Sequence, residues 1–140
     1  LADPAVIPNV PDVSSNSEEW SIAFDANDEF ITRFVKSKDA LSELETFTVE
    51  TRDGFNGEEL VFTVGTTITN TIEFTVDATI NESFGPVPFD SNLMKEILKA
   101  NKDYHSGEIR INKKGLLDAH FHCGNDLYTG YYLVRKQENN

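Results

Sequence analysis

A single order of patterns runs twice along this chain, and it restricts the fold more than any one motif does. In the first pass Trp20, Ile22 and Phe24 alternate with Ser21 and Ala23, the period of a short half-buried strand. Asp25 or Asn27 then caps a helix of about 28–38, with Asp28 and Glu29 in its first turn against the helix dipole. Phe30, Ile31, Phe34 and Val35 share one face of that helix. Three runs dense in Thr, Val, Phe and Ile follow at 46–52, 59–67 and 71–80, parted by Asp53-Gly54, Asn56-Gly57 and Thr69-Asn70, which reads as an antiparallel meander. The second pass leads through Gly85-Pro86-Val87-Pro88 to a capping sequence at Phe89-Asp90-Ser91-Asn92 and a helix of about 91–102, with Leu93, Met94, Ile97 and Leu98 on one face. Strands at 106–112, 115–123 and 127–136 complete it. The pattern predicts an α+β fold built from a duplicated strand-helix-three-strand unit, about 20–82 and 83–137. The near-identical helix openings Phe-Asp-Ala-Asn (24–27) and Phe-Asp-Ser-Asn (89–92) support the duplication.

At 140 residues the chain suits one domain, expected over 20–137. Residues 1–19 hold three of the five prolines and no period of either kind, so they read as an extended strap. The lone Cys123 excludes an intramolecular disulfide and every multi-cysteine zinc motif. No apolar run approaches the ~20 residues that a membrane-spanning helix needs.

Net charge is −12, which by itself opposes binding to a phosphate-rich partner. The distribution reverses that reading. Residues 30–38 carry three bases and no acid, and residues 91–102 carry three bases and Glu96; together these windows hold +5, which leaves −17 for the rest. At about 100° per residue, Lys95, Lys99 and Lys102 cluster within roughly 60° of one another, nearly opposite the Leu93/Met94/Ile97/Leu98 face. Arg33 and Lys36 likewise lie away from the apolar face of the first helix, whereas Lys38 falls nearer its edge. Lysines also populate ordinary solvated helix faces, but two like-signed helices in a chain otherwise so acidic favour a cationic strip for a polyanion. Acids on the far side weaken such a strip little, because the Debye length is ~8 Å at physiological salt. Lysine point charges without Arg forks imply phosphate contacts that carry no sequence specificity.

Three places resemble the C-terminal domain of the sliding clamp of T4-type bacteriophages, a DNA polymerase processivity factor of the DNA clamp superfamily. Ala2-Asp3-Pro4-Ala5-Val6-Ile7-Pro8-Asn9 is similar to the connector between that clamp's two domains. Phe30-Ile31-Thr32-Arg33-Phe34-Val35-Lys36-Ser37, continuing into Thr46-Phe47-Thr48-Val49, is similar to the opening of its second domain. The third is the duplicated plan itself. The resemblance implies a DNA-clamp (processivity) fold, with two antiparallel sheets and two helices on one side, and a non-enzymatic role without cofactor or metal. It further implies encirclement of duplex DNA in a homo-oligomeric ring, tethering of DNA polymerase, opening by a clamp loader, and residence in the host cytoplasm. Carried over by position, Arg33, Lys36, Lys38, Lys95, Lys99 and Lys102 would face DNA, and Val6, Ile7 and Val10 would border the pocket for polymerase tail peptides. A first residue other than Met and the connector-like start lead to the expectation of a fragment of a two-domain clamp.

Two other classes are open. An acidic β-rich phage structural or protein-interaction module would use the helices as ordinary packing. A metal enzyme would use His120 and His122, which alternate on one strand face with Asp118, plus a ligand such as His105; the alternative is an ordinary solvent-facing strand. No nucleophile elbow, P-loop, dinucleotide fingerprint or zincin helix is present.

Overall fold

The computed structural model describes residues 20–65, 70–103, 106–124 and 127–136. The first unit comprises β1 (Ile22–Asp25), α1 (Asp28–Ala40), β2 (Thr46–Gly54), β3 (Gly57–Gly65), β4 (Thr71–Val76) and β5 (Thr79–Ile80). The second comprises β6 (Val87–Asp90), α2 (Ser91–Ala100), β7 (Ser106–Ile111), β8 (Leu116–Gly124) and β9 (Leu127–Val134). The strands form two antiparallel sheets, in the orders β5-β1-β7-β8-β9 and β4-β3-β2-β6. The units therefore exchange their leading strands. β1 pairs with β7 of the second unit, Ile22 opposite Ile111 and Phe24 opposite Ile109. β6 pairs with β2 of the first, Phe47 opposite Phe89 and Val49 opposite Val87.

That exchange makes each helix a crossing between sheets, and the two helices pack against each other. Asn27 caps α1 by accepting the Phe30 amide at 2.9 Å. Asp90 caps α2 by accepting from Asn92 and Leu93 at 2.8 and 3.0 Å. Where the sequence suggests one long strand at 71–80, the chain instead leaves β4 after Val76 and enters the other sheet as β5, opposite β1. The sheets also meet at their far flank, where the Lys136 amide donates to the Pro88 carbonyl at 2.9 Å.

One core serves both sheets and both helices, and it is built on phenylalanine. Phe62 lies at the centre, with ring centroids 5.6 Å from Phe24, 5.2 Å from Phe30, 5.8 Å from Phe47 and 5.6 Å from Phe74. Phe34 meets Phe47 edge-on at 5.0 Å, which seats α1 on β2. Phe55, at the tip of the β2–β3 hairpin, is 98% exposed.

The outer face of the five-stranded sheet departs from simple alternation. Trp20 does not continue the Ile22/Phe24 face into the core. Its indole lies against the Arg110 guanidinium, 4.8 Å from ring centroid to Cζ. Arg110 donates through two nitrogens to Asp118 at 2.9 and 2.7 Å, and Asp118 is 2% exposed. His120 sits beside them, Nδ1 3.1 Å from Asp118 and Nε2 3.4 Å from Glu108. His122 packs against Tyr128 at 4.8 Å. The expected solvent-facing strand is thus, around Asp118, a covered ion-pair network that ties β7 to β8. Among the described residues, no group of three His, Cys, Asp or Glu side chains is arranged to hold a metal.

Phe62→Ala is expected to lower unfolding free energy in urea by about 3–5 kcal/mol, the cost of emptying a packed aromatic site. Phe55→Ala should stay within about 0.5 kcal/mol of the parent chain. In the network, Asp118→Ala leaves a largely buried guanidinium without its carboxylate and should cost about 3–5 kcal/mol by the same measurement.

Candidate nucleic-acid interface

The cationic side chains singled out on the two helices do not share one fate, and local geometry explains each. On α1 the buried direction is set by Phe30, Phe34, Ser37 and Lys38. Lys38 is 3% exposed, and its ammonium donates to the Ser42 carbonyl at 2.7 Å. This corrects its placement on a DNA-facing surface. The stem lies in the edge of the core while the ammonium satisfies a carbonyl just past the helix end, where a cation also suits the dipole.

Arg33 lies on the flank of α1 nearest β4. It pairs with Glu29 at 2.8 Å and donates to the Thr75 carbonyl at 3.1 Å. The cleft of about 390 Å³ beside it is lined also by Asp25, Glu29 and Asp77. Three carboxylates make this flank unfavourable to phosphate. Lys36, on the next exposed turn, is exposed, and it has no ion pair among the described residues.

On α2, Met94, Ile97 and Leu98 face the core. Lys95 leaves the flank that meets α1 and pairs with Asp39 of that helix, the side chains being 28% and 55% exposed. Lys99, one turn on, and Lys102, just past the helix, are exposed without an ion pair among the described residues. The end of α2 is held by Asn101, which is 3% exposed and donates to the Ile97 carbonyl at 2.8 Å and to the Tyr131 hydroxyl at 3.1 Å. That anchor to β9 fixes where Lys99 and Lys102 emerge.

Asp39 joins the two halves. Lys36 precedes it by three residues on α1, so the two share a face. Its carboxyl is held below the ordinary aspartate range, first by the Lys95 hydrogen bond against an opposing desolvation, then by the charges of Lys95, Lys99 and Lys38. Asp39 thus stands near cations of both helices, Lys38 of its own and Lys95 and Lys99 of α2.

Asp39 is also the residue that sequence reasoning missed. A helix ending at 38 has a basic surplus, but α1 runs to Ala40 and carries Asp28, Glu29 and Asp39 against Arg33, Lys36 and Lys38. Its charge is balanced. The exposed surplus narrows to Lys36, Lys99 and Lys102, with Lys95 held across the seam. Val6, Ile7, Val10 and His105 lie outside the described residues.

Neither a protein-family model nor a curated protein sequence matches the chain. Solved structures do. Proliferating cellular nuclear antigen from Entamoeba histolytica superposes with a TM-score of 0.62 at 14% identity, over 84% of this chain and 46% of its own. The beta subunit from DNA polymerase of Streptococcus pyogenes superposes with a TM-score of 0.50 at 15% identity, over 91% of this chain and 34% of its own. The chain therefore spans less than half the length of either. A likeness at such low identity establishes architecture alone: two antiparallel sheets and two helices in the DNA clamp fold.

Proposed function

We propose that this chain is a DNA sliding clamp domain, which holds duplex DNA without sequence preference and keeps a DNA polymerase on it during replication. The observation that carries the reading is the seam between the helices. On a clamp fold, two helices packed side by side bring Lys95 of α2 to Asp39 of α1, three residues from the exposed Lys36, within a chain of net charge −12. In this reading, phosphates approach Lys36, Lys95, Lys99 and Lys102, while Arg33 borders the contact and Lys38 is structural.

Such contacts are few and cationic, so they bind weakly and fall off with salt. Weak contact suits a sliding clamp, because retention comes from the closed ring rather than from affinity. The acidic remainder would then face away from DNA and repel it from the wrong surface. The reading extends to a ring completed by further domains or copies, a clamp loader that opens it, and a polymerase peptide received beside Val6, Ile7 and Val10. The sequence likeness to T4-type phage clamps supports a phage source acting in the host cytoplasm. None of these steps calls for catalysis by this chain.

The balanced charge of α1 favours a second reading, an acidic phage structural or protein-interaction module that does not touch DNA. Fluorescence anisotropy of a labelled duplex separates the two. Lys36→Glu/Lys99→Glu is expected to weaken binding more than tenfold at 50 mM salt and to reduce the salt slope by about 2, with an unchanged thermal melt. Binding equal to that of the parent chain would favour the interaction module. Lys38→Met should behave oppositely: a loss of about 1.5–3 kcal/mol in stability from the unmet Ser42 carbonyl and the lost charged hydrogen bond, with DNA affinity retained.

A further inference from the structure

Asp39 has no role in holding a polyanion, yet it stands among the cations proposed to do so. Its carboxylate pairs with Lys95 across the helix seam, it shares the exposed face of α1 with Lys36, and it feels the charge of Lys99. It is not there to complete the core, since its side chain is 55% exposed. The apolar faces of both helices already meet the shared phenylalanine core.

We infer that Asp39 is a built-in competitor for phosphate: it occupies the Lys95 ammonium when no DNA is present and keeps the hold on DNA weak when it is. This rests on the clamp reading above. A free lysine on a DNA-binding surface gains affinity chiefly because its contact releases a cation condensed on the duplex. Lys95 already has an intramolecular anion as its partner. Contact with a phosphate must displace that partner or form beside it, and the displaced carboxylate then lies close to the phosphate as a like charge. Both effects subtract from affinity at one position while leaving Lys36 and Lys99 as shallow contacts. One neutralised position beside free ones lowers the barrier to passing from phosphate to phosphate. Asp39 would thus set how strongly the seam holds a duplex, as a positioning residue acting through Lys95.

The side chain offers a clean substitution. Asp39→Asn keeps size and shape, removes the charge and frees Lys95. It should tighten binding of a short duplex about tenfold at 0.1 M salt and steepen the salt slope by about 1, the effect of adding one phosphate contact. Asp39→Glu keeps the charge and should bind like the parent chain. Asp53→Asn, an exposed position near the tip of the β2–β3 hairpin, at the opposite end of β2 from the end of α1, makes the same change in net charge and should leave binding unchanged. Anisotropy titrations of all three against salt, with thermal melts to verify folding, supply the readout. Asp39→Asn binding equal to the parent chain, while Lys36→Glu/Lys99→Glu still weakens binding more than tenfold, would overturn this inference and leave the clamp reading standing. Equal tightening by Asp53→Asn would also overturn it, since net charge alone would then account for the effect. No binding by the parent chain or by Asp39→Asn would overturn the clamp reading together with the inference.

Discussion

The exchange of β1 and β6 between the two sheets is the constraint on which the rest of the structure depends. Because β1 pairs with β7 and β6 with β2, neither sequence unit can form its sheet alone. Each helix must then carry the chain from one sheet to the other, α1 between β1 and β2 and α2 between β6 and β7. Two such crossings, opposite in direction and close together, become neighbours. The phenylalanine core locks them there, since Phe30 and Phe34 of α1 and Met94 and Leu98 of α2 belong to one buried cluster with Phe47, Phe62 and Phe89. The charged seam is a consequence of that geometry: residues 39 and 95, far apart in sequence, meet because the helices do.

Charge is arranged differently on the two sides of the molecule. Away from the helices, three of the six basic residues are held by carboxylates. Arg52 bridges Glu50 and Glu73 at 3.0 and 2.9 Å, Lys113 bridges Glu82 at 2.6 Å, and Arg110 is folded over Asp118. The carboxyls of Glu73 and Glu82 accordingly lie below their ordinary range, lowered first by hydrogen bonds from Arg52 and Lys113. Exposed pairs of this kind contribute little to stability. Their effect is on the field: they mask the cations of the sheet surfaces and leave the acids in excess there. On the helices Lys36 and Lys99 are exposed without an ion pair among the described residues, and Asp39 holds Lys95.

Much of the architecture was legible in the sequence because it rests on local signals. Period-2 and period-3.6 patterns mark the strands and helices, and the Asn27 and Asp90 caps start the helices where the motifs place them. The departures have specific causes. The 71–80 run is broken because Asp77 and Ala78 carry the chain between sheets, an event that period alone cannot express. Trp20 leaves the alternation because the β1 ladder starts only at Ile22 and the Arg110 guanidinium offers the indole a flat partner. Lys38 was misplaced because helical angle locates a residue on a face without revealing whether that face lies over a loop. Here the loop brings the Ser42 carbonyl to the ammonium.

The amino-acid sequence by itself determined the elements and their doubled order, because each of these depends on neighbours within a few positions. Only the tertiary structure decided which sheet each strand joined and that the two helices lie together. It also decided which cations are exposed and which are held: Lys36, Lys99 and Lys102 are exposed, while Lys38 is buried, Arg33 is drawn to Glu29 and Lys95 is held by Asp39. The physical reason is that an ion pair or a buried ammonium depends on distances across the fold, and no spacing along the chain encodes the approach of residue 39 to residue 95.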